Sequence, residues 1–503
     1  MEQEKRLPTL SHNWISGLGA VIAVVSSFTI LLLISINIVI GIKNPYIGII
    51  LYMALPAFLI FGLLLIPVGM YIQWRFSQKR GALPYRKWPS LDLNERQSRN
   101  AFMIFLGGTF VFILISAVGM YQAYQYTDSV SFCGKTCHTV MKPEYVTHGA
   151  SPHARVKCAQ CHIGPGVGWY TKSKLSGLYQ VYAVLANVYP RPIPTPISNL
   201  RPARVTCEQC HWPGQFFGAM QRRFDHYMYD MANSHWPVNL LLKVGSGNPL
   251  LPRASGIHWH IHPDIAVEYI PRDKRRQDIP WVRVTDRRTG EVRIFQHESN
   301  PLSPEAIASA VPRIMDCMDC HNRPSHNFRS PDYAIDLELS LGRIEPSLPE
   351  IKRVAVKAMT ARYPDDARAM RGIETAINDF YLTAYPDVFS SQREEIEKAA
   401  AATQEAYRRN IFPFMKARWS YYPSDIGHFV FPGCMRCHDG KHNGEGGTSI
   451  PHDCHTCHII LEQGKMGPRE TLNLDRGLDF RHPVDIGSAW KTTGCYECHK
   501  NIP

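Results

Sequence analysis

The sequence predicts a mainly α-helical fold with a large irregular content: three N-terminal membrane-spanning helices, then a soluble part that holds a small β-hairpin region. Three observations predict it. Long apolar stretches are confined to the first quarter of the 503 residues. All 14 Cys lie beyond them, in a polar region punctuated by Pro and Gly. Within that region, residues 281–285 and 292–295 alternate in polarity around Asp286-Arg287-Arg288-Thr289-Gly290, a hairpin pattern.

The apolar stretches run over residues 14–42, 46–74 and 101–122, and each is long enough to cross about 30 Å of hydrocarbon as a helix. None contains Asp, Glu, Lys or Arg except at its edges. A cleaved signal peptide has a shorter apolar core and a small-residue cleavage site, so the three spans are expected to stay as a membrane anchor over residues 1–122. The connection 75–100 holds Arg75, Lys79, Arg80, Arg86, Lys87, Arg96 and Arg99 against Asp92 and Glu95, whereas the turn between the first two spans has only Lys43. Basic loops stay inside. The N-terminus is therefore expected in the cytoplasm and everything after the third span outside.

From about Ala123 the chain reads as two regions, 123–218 and 219–503. Helix formers with few breakers predict helices over residues 349–361 and 392–409.

Every Cys falls in a pair followed at once by His: Cys133/Cys137-His138, Cys158/Cys161-His162, Cys207/Cys210-His211, Cys317/Cys320-His321, Cys434/Cys437-His438, Cys454/Cys457-His458, and last Cys495 and Cys498 with His499. C-x-x-C-H is the attachment pattern of c-type haem. Two thiols a few residues apart add to the two vinyl groups of one porphyrin, and the adjacent imidazole reaches the iron. Disulfides do not require the His. Zinc sites would join the pairs into fours, and seven is odd. The soluble part is thus expected to be a multihaem cytochrome c domain packed around seven covalently bound haems c; outside the hairpin and helical segments, short loops wrap the haems in place of a conventional core. The first motif encloses three residues instead of two, and no other partner exists for its thiols.

Formal charge is +12, which alone would suggest an anionic partner such as nucleic acid. Fourteen haem propionates offset it, leaving the holoprotein at about −2, and nucleic-acid binding is excluded on that ground.

Fourteen of the 22 His remain after the seven proximal ligands and His12, and distal ligands must come from them. His148, His153, His428 and His442 are the candidates, the first two because they stand just before the second motif and His428 because it stands just before the fifth. Two neutral imidazoles make a six-coordinate iron suited to electron transfer.

The run Cys133-Gly-Lys-Thr-Cys-His138-Thr-Val-Met141, then His148 to His162, then Gly164-Pro-Gly-Val-Gly-Trp-Tyr-Thr-Lys172-Ser-Lys174, resembles the NapC/NirT family of membrane quinol dehydrogenases. The resemblance covers the third span through His211, about a fifth of the chain. It implies a cytochrome of the inner membrane with its haem domain in the periplasm, drawing electrons from the menaquinol/quinone pool in the bilayer and passing them to periplasmic c-type cytochromes in anaerobic or metal respiration. Lys172 and Lys174 match the family's quinol-site lysine in position, beside Trp169 and Tyr170. Where the family has an acidic residue a few positions beyond that lysine, this chain has Gln180. The family's first motif is written C-x-x-C-H-x-M; both spacings gain a residue here, which leaves open whether Met141 or His138 serves the first haem. Lys172, Lys174, Gln180 and Met141 are the implied quinol-site residues.

Two other functions compete. A terminal reductase of nitrite or hydroxylamine needs a haem with an open face, often in a variant motif such as C-x-x-C-K, and all seven motifs here end in His. An electron-transfer subunit without its own quinol site would share every haem motif.

Overall fold

The computed structural model describes residues 13–40, 54–79, 93–136, 138–164, 167–197, 201–212, 216, 218–245, 256–464 and 477–500. Two compact units divide the chain, residues 1–139 and 140–503. Its helices of ten or more residues are α1 (Trp14–Ile40), α2 (Leu55–Lys79), α3 (Arg96–Thr127), α4 (His138–Gly149), α5 (Val167–Leu185), α6 (Pro331–Ser340), α7 (Ile351–Thr360), α8 (Asp366–Ala384) and α9 (Arg393–Asn410).

In the first unit α1, α2 and α3 are each long and apolar enough to cross a membrane. Helix α2 runs five residues past the expected end of its span, and α3 extends five residues beyond its span at both ends. The expected start of the second span, together with Lys43, Arg80, Arg86, Lys87 and Asp92, lies outside the described residues. Lipid tails are as apolar as leucine, so helices in a bilayer associate by close approach of small residues. Here a Cβ added to Gly62 would stand 2.8 Å from the Ala23 nitrogen and the Gly19 oxygen. Backbone therefore meets backbone. Ser16 Oγ adds a bond to the Ile66 carbonyl at 2.9 Å.

The second unit contains two antiparallel sheets and a helical bundle. The strands are β1 (Met220–Tyr227), β2 (His235–Leu242), β3 (Ile265–Ile270), β4 (Trp281–Asp286), β5 (Val292–His297), β6 (Arg313–Ile314), β7 (His442–Gly444) and β8 (His458–Gln463). One sheet has the order β1-β2-β8 and the other β6-β3-β4-β5-β7. The expected hairpin is β4 and β5, paired from Trp281 opposite Gln296 to Thr285 opposite Val292. Alternation sets its inward face: Val282, Val284 and Phe295 pack with Val267 and Tyr269 of β3.

The expected helices at 349–361 and 392–409 are α7 and α9. They join α6 and α8 around a core of side chains: Ile335, Ile351, Ala355, Ile373, Ile377, Tyr381 and Ile396 are fully buried. In α8 the buried residues Ala369, Ile373, Ile377 and Tyr381 recur every four positions, one stripe of a helix. Ser330 caps α6 by accepting from the Tyr333 N–H, with Pro331 at the first turn, and Asp365 caps α8 by accepting from the Arg368 N–H. Lys352, 2% exposed, lies between Asp332 at 2.8 Å and Asp336 at 2.7 Å. A buried charge needs such pairing. Thus this segment, which the sequence predicts as helical, has a conventional core of its own.

Candidate functional site

A C-x-x-C-H run wound as a helical turn puts positions i, i+3 and i+4 on one face. The second, fourth and seventh motifs do so, in helices Cys158–His162, Cys317–Cys320 and Cys495–His499. The fifth uses a 3-10 turn, Gly433–Arg436. Cys133 of the first motif lies in a π turn, Phe132–Thr136, whose wider winding takes up one more residue per turn. Cys137 and the His138 side chain lie outside the described residues. Among the described cysteines, none is in a disulfide. Cys210, Cys454 and Cys498 are exposed, and the others are half-buried. In the seventh motif, therefore, Cys498 lies open on the surface of its helix while its partner Cys495 is half-buried. Burial pushes the Cys320 and Cys437 thiols up to about 12.

The six remaining proximal histidines each face a second imidazole. Ring centres are 6.4 Å apart for His162 and His326, 6.1 Å for His211 and His153, and 6.3 Å for His321 and His258. They are 5.8 Å apart for His438 and His260, 6.3 Å for His458 and His428, and 6.2 Å for His499 and His482. An imidazole nitrogen binds a metal at about 2.0 Å, and the ring centre lies about 1.2 Å behind it, so two imidazoles on opposite sides of one ion have centres about 6.3 Å apart. The pairs therefore fit an iron between them.

The other ring nitrogen of a ligating histidine usually bonds a carbonyl, which fixes the ring. Nδ1 of His326 meets the Glu144 carbonyl at 3.0 Å, His153 that of Pro324 at 3.2 Å, and His258 that of Val244 at 2.8 Å. His260, His438 and His482 bond Ile257, Pro451 and Val484 in the same way. Burial lowers the pKa of His326 to about 3 and of His260 and His458 to about 4, so these rings are neutral and keep a lone pair for a metal.

His442 is different. Its Nδ1 bonds Asp439 at 2.8 Å and its Nε2 the Ile279 carbonyl at 2.7 Å, so both nitrogens are occupied. Burial works against charge there, but the Asp439 and Ile279 bonds outweigh it and raise the pKa above the ordinary value. His148 Nε2 bonds the Val156 carbonyl at 3.0 Å. Among the described proximal histidines, neither is paired with one as His428 and His153 are, although the His148 ring lies 6.2 Å from His326. Among the described residues, one further group has metal-ligand character, His226 with Asp332 and Asp336, and Lys352 already holds its two carboxylates.

The attachment motifs follow one another in space in chain order. Cys161 neighbours Cys210, Cys207 neighbours Cys317, Cys320 neighbours Cys434, Cys434 neighbours Cys457, and Cys454 neighbours Cys495. Sites two to seven thus form a continuous string.

Lys172 lies on α5 with its ammonium 5.5 Å from the Trp169 ring centre. Three residues on begins a stripe of Leu175, Leu178, Tyr179, Tyr182 and Leu185, all more than half exposed, while Ala183 is buried. Apolar side chains turned outward at helical spacing, with Trp, Tyr and Lys at one end, suit a membrane interface. Gln180 is exposed, about 80° round the helix from Lys172. Met141 is half-buried on α4. The Lys174 and Tyr170 side chains lie outside the described residues.

Four facing histidines, His258, His260, His326 and His482, carry no local mark of their role. His326 faces a ring 164 positions earlier in the chain, a relation that only the fold creates. The dense run His258-Trp-His260-Ile-His262 was the available signal.

Residues 95–192 match the N-terminal region of the NapC/NirT cytochrome c family. The chain is 43% identical over 499 residues to cytochrome c-type protein ImcH of Geobacter sulfurreducens, covering 98% of this chain and 96% of that protein. No solved structure matches.

Proposed function

Given that this chain belongs to the family of membrane multihaem c-type cytochromes with a NapC/NirT N-terminal region that includes ImcH, we propose that it oxidises menaquinol at the outer face of the inner membrane. Electrons then pass along seven haems to periplasmic c-type cytochromes. The observation that carries this reading is the string of six facing histidine pairs.

Bound haem supplies one-electron carriers, so the two electrons of a quinol leave in sequence and its two protons go to solvent. What the chain supplies is position. Cys133 follows the end of α3 by six residues, which keeps the first site near the headgroups. The span interiors hold no Asp, Glu, Lys or Arg, so protons have no path through them and leave directly to the outside. Lys172, at the head of the apolar stripe of α5, holds the quinol oxygen by a hydrogen bond, with Lys174, Gln180 and Met141 as further contacts. The paired imidazoles at sites two to seven would hold a haem iron from both sides, which disfavours a terminal reductase. Distal ligands in this reading are His326, His153, His258, His260, His428 and His482, with His148 and His442 left out.

Lys172→Met and Lys174→Met test the donor site. The expected result is a loss of reduction by menaquinol in at least one of them, with haem content and reduction by dithionite intact. If both variants and the double variant accept electrons from quinol at the wild-type rate, the donor site lies elsewhere.

A further inference from the structure

Attachment motifs four and five are joined by a buried polar network that haem attachment itself does not require. Asp319, between Cys317 and Cys320, has a side chain 1% exposed. Its Oδ1 accepts from Tyr269 Oη at 2.6 Å, Arg276 Nη1 at 2.7 Å and Arg313 Nε at 2.8 Å, and its Oδ2 from the Asp316 N–H at 2.7 Å. Arg436, between Cys434 and Cys437, is 6% exposed and pairs with Asp425 at 3.2 Å. Its Nη2 donates to the Asp319 main-chain oxygen at 2.6 Å, its Nη1 to that of Arg276 at 2.9 Å and its Nε to that of Gly433 at 2.8 Å. One guanidinium thus holds both motifs.

The residue after His321 is tied to the same segment. Asn322 donates to the Pro423 carbonyl at 2.9 Å and accepts from the Asp425 N–H at 3.0 Å. On the far side of both sites, His258 and His260 stand two residues apart on the 3-10 turn Ile257–Ile261, facing His321 and His438 respectively. Sites four and five therefore share a proximal clamp and a distal strut.

We infer that Arg436 is a positioning residue for electron passage between sites four and five, locking the two attachment loops into one mutual orientation. A planar fork with five donors can reach two carbonyls, its own turn and a carboxylate together, which an ammonium cannot. Stability alone does not explain it, because a buried ion pair is often no better than an apolar pair of the same volume. Electron transfer does explain it, since the rate falls exponentially with separation and a rigid pair keeps that separation fixed. The inference rests on the electron-transfer reading but not on quinol as the donor.

The test uses full-length protein in detergent, read by intact mass, electron paramagnetic resonance and redox titration, so failure of quinol oxidation leaves it unaffected. The double variant R436Q/D425N removes the ion pair without leaving a lone buried carboxylate, and R436K keeps the charge without the fork. With haem content equal to wild type, both should change the signals of two haems together and weaken the magnetic interaction between them, with the larger shift in midpoint potential in the double variant. Loss of haems four and five together from a chain that keeps the others supports the same lock. Spectra and titrations that superimpose on wild type in both variants, or a change confined to one haem, would overturn it.

Discussion

His258 and His442 differ in how their ring nitrogens are used, and the proposed split between haem-ligand and structural histidines rests on that difference. His258 bonds the Val244 carbonyl through Nδ1 and points its other side at His321, with the two rings 3° from parallel. His442 spends both nitrogens on Asp439 and Ile279. Sequence position does not reveal this difference, because it depends on which carbonyl the fold brings to each ring. Ring angle has a measurable consequence. Parallel imidazole planes act on the same iron d orbital and split the pair widely, whereas crossed planes act on both and leave them close. The His321/His258 and His458/His428 pairs, at 3° and 20°, should give rhombic low-spin signals. The His211/His153 and His438/His260 pairs, at 78° and 79°, should give signals with one very large g value. His258→Met should keep haem content and remove one rhombic signal, while His442→Gln should leave every signal in place. The cost of His442→Gln is stability, on the order of 1–3 kcal/mol for the unmet buried groups.

Helix α2 meets α1 at Gly62, where an added side chain would strike the backbone of Ala23 and Gly19. Gly62→Leu should therefore force the two spans apart at a cost on the order of 1–3 kcal/mol, seen as faster proteolysis or thermal loss of the anchor, with haem spectra unchanged. A wild-type melting profile for the anchor would count against that packing. The spans themselves were readable because charge-free runs of this length have one common explanation, α7 and α9 because their segments hold helix formers with few breakers, and the β4/β5 hairpin because its residues alternate. Helices α6 and α8 and strands β1 and β2 were not read. Seven attachment motifs favour an interior filled by haem, yet the stripe Ala369, Ile373, Ile377 and Tyr381 is visible in the sequence once a bundle is considered. The β1/β2 pair is harder to read, since Met220–Arg223 are all exposed and give no alternation.

The molecule's organising feature is the continuity of its attachment sites. Chain order and spatial order coincide from site two to site seven, and each facing histidine comes from outside the motif it faces, so the pairs bring separate segments together. The motifs were legible because cysteine pairs followed by histidine carry their chemistry within five or six consecutive positions. The ligand partners were not, because His326 and His162 become neighbours only when the fold closes. The proposal that this string takes its electrons from quinol has a direct test. Purified full-length protein in detergent is mixed with menaquinol under anaerobic conditions, and haem reduction is followed by its absorption. The account predicts reduction of two haems per quinol consumed, continuing until quinol reaches all haems with potentials above its own. Rapid and complete reduction by dithionite with none by menaquinol would contradict it.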